Sequence, residues 1–111
     1  MPKHPNDRLQ GTLDLLILKI LARSGPQHGY GIAQRIHQAT DDSLRIEEGS
    51  LYPALQRILL KGWAKAEWDV SETNRRVRVY RLTPAGRKQL DAEVDTYERI
   101  NAAIRAILRT A

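Results

Sequence analysis

The stretch Glu47-Glu48-Gly49-Ser50-Leu51-Tyr52-Pro53-Ala54-Leu55-Gln56-Arg57-Ile58-Leu59 decides how the rest of the chain folds. Leu51, Leu55, Ile58 and Leu59 recur at spacings of three and four and form one apolar stripe, while Tyr52, Gln56 and Arg57 fall on other faces. Ser50 suits an N-cap, and Pro53 would then lie in the first turn, where a missing N–H leaves no intrahelical bond unmade. The pattern predicts a short helix starting near Ser50, packed on one side and open on the other. Gly49 would let another molecule come close to the backbone. A plain loop-to-helix junction with a half-buried Tyr52 fits this segment equally well.

The residues after this stretch narrow the choice. Lys61-Gly62 ends the helix with a cation in the last turn and a glycine suited to the left-handed position after it. Trp63 to Val70 alternates, with Ala64, Ala66 and Trp68 on one side and Lys65, Glu67 and Asp69 on the other; Val77 to Leu82 reads as a second strand. Between them the polar run 71–76 makes the turn of a hairpin. Arg75, Arg76, Arg78 and Arg81 fall within seven residues that contain no acid, the densest positive charge in the chain. That density suits contact with phosphates or a minor groove, and Arg81 could instead pair with an acid on the last helix.

Thr83-Pro84 is an N-cap followed by proline at the first helical position, so a long helix runs from there to about Arg109, with Gly86 marking close packing against the hairpin. Leu90, Tyr97, Ile104 and Ala111 are seven apart and Val94, Ile100, Ile107 and Leu108 widen the same face, a seam that an isolated helix has no use for. Asn101 belongs either in that seam, fixing register, or just outside it in water.

Upstream, Gly11 to about Arg23 predicts a helix with Thr12 as N-cap and Asp14 in its first turn. Its leucines and isoleucines cover more than one stripe, which predicts burial on two sides, one of them against a second subunit through Leu13, Leu16 and Ile17. A second helix runs from about Tyr30 or Gly31 to Ala39, and Leu44-Arg45-Ile46 alternates as a minimal strand. Acids at 41, 42, 47 and 48 should point away from a polyanion, or, for Glu48, sit against a helix N-terminus. Residues 1–8, with two prolines, predict a frayed arm whose Lys3 and Arg8 could reach a backbone or minor groove.

In this order the elements make a mainly α fold with a small β-wing: a winged helix-turn-helix over residues 9–83 and a C-terminal dimerisation helix over 84–111. In such a fold the N-terminal residues of the second helix of the motif meet base edges. Gly49, Ser50, Tyr52, Pro53 and Gln56 are therefore the candidate base-reading residues. Arg35 on the preceding helix and Asn74, Arg75, Arg76 and Arg78 on the wing are the candidate backbone contacts. The candidate dimer interface comprises Leu13, Leu16, Ile17, Leu90, Val94, Tyr97, Asn101, Ile104 and Leu108.

The composition agrees with this. A 111-residue chain with 41% apolar and 28% charged residues is one ordinary globular domain, and its net charge of +5 favours a polyanionic partner such as double-stranded DNA. Lacking cysteine, it forms no disulfide, zinc finger or thiol nucleophile. The N-terminus shows no signal-peptide core, and the apolar run from Leu13 to Ala22 is too short to span a bilayer, which predicts a soluble cytoplasmic protein without membrane contact. No phosphate-binding glycine loop, paired metal ligands or serine nucleophile motif is present, and the three histidines lack an orienting acid. The sequence predicts neither an enzyme nor a metal or other cofactor.

His28-Gly29-Tyr30-Gly31-Ile32, Glu48-Gly49-Ser50-Leu51-Tyr52-Pro53-Ala54-Leu55-Gln56-Arg57 and Tyr80-Arg81-Leu82-Thr83-Pro84-Ala85-Gly86, in that order and spacing, closely resemble the PadR family of bacterial transcriptional regulators. The resemblance runs from about Leu9 to the end and points to the small subgroup that dimerises through a single C-terminal helix. It implies a homodimer acting on a near-palindromic promoter site, usually as a repressor. Some members of that family bind aromatic or multidrug-like effectors between the subunits against aromatic residues of the last helix. Here that helix offers only Tyr97, so no small-molecule effector is identifiable. A different class of function also fits the pattern: a winged-helix protein-interaction module, with Trp63, Trp68 and the basic hairpin docking an acidic partner.

Overall fold

The computed structural model describes residues 7–110, of which 7–11 as backbone only. Four helices and a three-stranded sheet follow in the order α1 (Asp7–Ser24), β1 (Gln27–His28), α2 (Gly29–Ala39), α3 (Glu48–Leu60), β2 (Ala64–Val70), β3 (Arg76–Leu82) and α4 (Pro84–Leu108). The sheet is antiparallel throughout, in the order β1-β3-β2, with Ala64 opposite Leu82, Trp68 opposite Arg78 and Gln27 opposite Tyr80.

Helix α1 lies at the centre of the core and packs against α2, α3, α4 and β3. Ile17 and Leu18 are completely buried, as are Ile32 of α2 and Ile58 of α3, and each such side chain removed from water stabilises the fold by about 1.5–3 kcal/mol. The two-sided burial expected of α1 is therefore met inside one chain. Leu13 and Ile17, at 3% and 0% exposure, have no surface left to offer a second subunit, and of the three α1 residues expected there only Leu16 keeps some.

Several local expectations are corrected. Helix α1 begins at Asp7, so Thr12 is interior to it and Asp14 is its eighth residue, buried, with Oδ1 accepting a 2.9 Å hydrogen bond from Arg57 Nη2 of α3. A carboxylate that sequence reading places at a helix dipole thus pins the helix organising the fold. Helix α3 begins at Glu48 with Glu47 as the capping residue, and no side chain caps it. Pro53 is consequently its sixth residue and cannot donate the i→i−4 hydrogen bond to the Gly49 carbonyl. The acidic Glu48 occupies the first turn, where its charge suits the macrodipole.

Residues 44–46 form no strand. Asp41 and Asp42 adopt left-handed φ values of 52° and 63°, and the extended segment that follows has no strand edge beside it. It is held instead by the Ile46 N–H donating to His37 Nε2 at 2.8 Å. The third strand is Gln27–His28, which takes the free edge of β3. Arg81 pairs with Glu67 across the hairpin, not with α4.

The predicted helix ends hold where the signals are local. Gly62 has φ 75° after Lys61, and Trp63 N–H closes back on the Ile58 carbonyl. Thr83 Oγ1 accepts from Gly86 N–H at 3.0 Å to cap α4. A Cβ at Gly86 would land on the Trp63 carbonyl oxygen and come within 2.7 Å of Leu82 Cδ1, so only glycine lets α4 start this close to the sheet. Beyond Leu90 and Val94, α4 leaves the core, and the molecule is 59 Å long but only about half that across.

Candidate nucleic-acid interface

The same alternation that buries Leu51, Ala54, Leu55 and Ile58 leaves Gly49, Ser50, Tyr52, Pro53 and Gln56 exposed along the N-terminal part of α3. The Asp14–Arg57 ion pair fixes the azimuth of the helix, because Arg57 lies one residue beyond Gln56 and on a different face.

Tyr52 leans toward the start of α2. A Cβ at Gly29 would meet Tyr52 Cε1 at 3.3 Å and its hydroxyl at 3.4 Å, so the missing side chain makes room for the ring. His28 caps α2, with Nδ1 accepting from Gly31 N–H at 3.0 Å. Accepting there leaves Nε2 to carry the proton of the neutral ring. The His28 and Tyr30 rings stack with centroids 6.4 Å apart, and the Tyr30 hydroxyl, on a residue 64% exposed, accepts from Gln34 Nε2 at 3.3 Å.

The wing supplies the third wall. On β3 the side chains of Arg76, Arg78 and Tyr80 alternate onto one face, and those of Ala66, Trp68 and Val70 on β2 share it. At the base of the hairpin this face is buried, with Ala64 and Tyr80 in the core; toward the tip it opens, with Trp68 61% exposed. His28, Tyr30, Tyr52, Arg76, Arg78 and Tyr80 line one cleft of about 230 Å³. Burial pushes the Tyr80 phenol above its ordinary value, against the opposing pull of the neighbouring Arg78 guanidinium, so near neutral pH it stays an uncharged hydrogen-bonding group. Two guanidiniums, three phenols and no carboxylate line this cleft, a surface suited to the oxygen atoms of a phosphodiester.

Of the residues singled out in the sequence, Tyr52, Arg76 and Arg78 therefore converge, with Gly49, Ser50, Pro53 and Gln56 exposed on the same helix as Tyr52. Asn74 and Arg75 sit in the exposed hairpin turn, where Asn74 takes a left-handed φ of 59° and Arg75 N–H donates to Ser71 Oγ at 3.1 Å. Arg35 does not join them. It lines a separate cleft of about 250 Å³ with Arg23 and Gln38, between the last turns of α1 and α2. Lys3 lies outside the described residues, and Arg8 belongs to the first turns of α1.

Sequence reading assigns no role to His28, Tyr30 or Tyr80, although Gly29 and Gly31 around Tyr30 are an available signal that the backbone there tolerates close approach. The role of Arg57 has no such signal, its partner being 43 residues away.

The remaining predicted residues divide along α4. Leu90 is buried and Val94 packs on the core, whereas Tyr97, Ile104 and Leu108 are 54%, 51% and 77% exposed, together with Ile100 and Ile107; Asn101 is half-buried among them. The described residues include no cluster of side chains able to hold a metal ion and no helix long and apolar enough to cross a membrane.

Comparison with known proteins gives a consistent picture. The profile of the Transcriptional regulator PadR-like family matches residues 17–92. The uncharacterized protein X of Lysinibacillus sphaericus is 32% identical over 100 residues, covering 89% of this chain and 90% of that protein. Among solved structures, a transcriptional regulator from Clostridium thermocellum superposes with a TM-score of 0.83 at 31% identity, covering 93% of this chain and 99% of that one. A PadR family transcriptional regulator from Eggerthella lenta gives 0.77 at 27% identity, over 94% and 88%.

Proposed function

Because this chain belongs to the PadR-like family of transcriptional regulators, which are DNA-binding proteins and not enzymes, we propose that it acts in the cytoplasm as a homodimer that represses a promoter through a near-palindromic site. The observation that carries the reading is the cleft between α2, α3 and the wing, where Tyr52, Arg76 and Arg78 meet beside an exposed helix N-terminal half. In each subunit Ser50, Tyr52 and Gln56 read base edges in the major groove, with Gly49 and Pro53 allowing the helix end to approach closely. Arg76, Arg78, Asn74 and Arg75 hold the flanking backbone. Arg35 contacts the backbone from its own cleft beside Arg23 and Gln38.

Pairing is the task of the outer half of α4. Five large apolar side chains, Tyr97, Ile100, Ile104, Ile107 and Leu108, are more than half exposed in a single chain, and a second copy of the same helix covers them with the same chemistry. Leu16, Val94 and Asn101 border that seam. A two-fold pair sets the two α3 helices into successive major grooves about 34 Å apart.

The test is a binding titration against genomic fragments at two salt concentrations, with the mass of the complex measured alongside. The reading expects one or a few fragments to bind two chains per site well above the rest. Replacing Arg75 and Arg76 together by Ala should weaken binding to all fragments alike and lower the salt slope by about one unit per lost contact. Equal binding to every fragment, or a single chain per site, overturns it.

A further inference from the structure

Trp68 stands on the wing as a large aromatic residue 61% exposed, which a solvated hairpin does not require. Its surroundings give the reason. The Arg76 guanidinium lies over the ring at 4.6 Å from the centroid and that of Arg78 at 6.0 Å. The register explains the arrangement: Trp68 is directly opposite Arg78 and diagonal to Arg76, which is itself opposite Val70. Both distances are within cross-strand reach of long side chains.

On the other face of the same hairpin Arg81 is held differently, by the Glu67 carboxylate at 3.2 Å. A carboxylate holds an arginine in place but cancels its charge. An aromatic face holds it through the ring quadrupole and leaves the full positive charge for a further partner. Among the described residues neither Arg76 nor Arg78 forms an ion pair with an acid. Both guanidiniums lie over one electron-rich indole, whose attraction offsets the mutual repulsion of two like charges held on the same face.

We infer that Trp68 is a positioning residue: its ring holds Arg76 and Arg78 as a ready-made pair of guanidiniums for one stretch of phosphodiester backbone, without neutralising them. This rests on the wing reading above. Long side chains that are already ordered lose less freedom on binding, so the ring raises affinity without touching the nucleic acid.

The test measures affinity and salt slope on one preferred DNA fragment for the full-length protein and for Trp68→Leu, Trp68→Phe, Arg76→Ala/Arg78→Ala and the triple variant Trp68→Leu/Arg76→Ala/Arg78→Ala. Far-UV circular dichroism and melting temperature verify folding in each. Trp68→Leu keeps the apolar bulk but not the quadrupole and should lose about three- to tenfold in affinity with an unchanged salt slope, since both arginines remain. Trp68→Phe should recover most of that loss. In the Arg76→Ala/Arg78→Ala background, Trp68→Leu should cost nothing more. Wild-type affinity in Trp68→Leu overturns the inference, as does equal loss in the Phe and Leu variants. A cost that persists without the arginines also overturns it, and assigns Trp68 to direct stacking on the nucleic acid. If Arg76→Ala/Arg78→Ala itself leaves affinity and slope unchanged, the wing reading falls, and this inference with it.

Discussion

The ion pair between Asp14 and Arg57 makes a prediction whose internal ordering can be tested. Arg57 Nη2 donates to Asp14 Oδ1 at 2.9 Å, and the two side chains are 29% and 10% exposed respectively. Breaking a fully buried pair costs about 3–5 kcal/mol, mostly because one charge is left without a partner, while exposed pairs contribute about 0–1 kcal/mol. The unequal burial makes the two single variants differ. Arg57→Met strands a nearly enclosed carboxylate and should cost about 3 kcal/mol. Asp14→Asn leaves an arginine that can turn toward water and should cost about 1–2 kcal/mol. Replacing both, as Asp14→Leu/Arg57→Met, removes the stranded charge and should cost less than the sum of the singles. Thermal melts at one fixed protein concentration read the series, with about 4 °C expected per kcal/mol for a chain of this size. If Asp14→Asn is as costly as Arg57→Met, or the double variant equals the sum, the pair does not pin α3 as argued.

Four other outcomes are expected. Gly86→Ala should lower stability by at least about 1–3 kcal/mol in the same melts, because its Cβ meets the Trp63 carbonyl, which cannot move without displacing β2. Tyr80 has a raised pKa, so the folded state favours its neutral phenol; the stability this contributes is complete below the ordinary value of 10.0 and is lost as pH rises through the folded value. Tyr80→Phe should therefore show a shallower loss of stability than the parent in denaturant titrations between about pH 9 and about pH 11. Ile104→Glu, at a site 51% exposed in one chain, should leave the helical spectrum of the fold intact while shifting the sedimentation coefficient to that of a single chain. Gln56→Ala should change which fragment is preferred in a selection from random DNA, by about 1–3 kcal/mol of discrimination if Gln56 makes a bidentate base contact.

How far the fold is legible in the sequence depends on the range of each signal. The α4 N-terminus is readable from Thr83-Pro84 and the α3 C-terminus from Lys61-Gly62, since each involves atoms within one turn. The start of α3 differs from the sequence expectation for an instructive reason. Ser50 is a better cap than Glu47 by side chain, yet the helix extends back to Glu48, because a capping preference contributes only about 1 kcal/mol.

Apolar periodicity, the two strands of the hairpin, the charge cluster on the wing and the seam of α4 belong to the chain itself, because each repeats over a few neighbouring residues and needs no knowledge of what lies across the molecule. Only the tertiary structure decides that Gln27–His28 takes the edge of β3, that Leu13 and Ile17 are enclosed by their own chain, that Asp14 reaches Arg57, and that Tyr52 shares a cleft with Arg76 and Arg78 while Arg35 does not. Those are pairings between segments tens of residues apart. The surface each residue keeps depends on which segments pack most favourably against it in the folded chain, a competition that no single stretch of sequence contains.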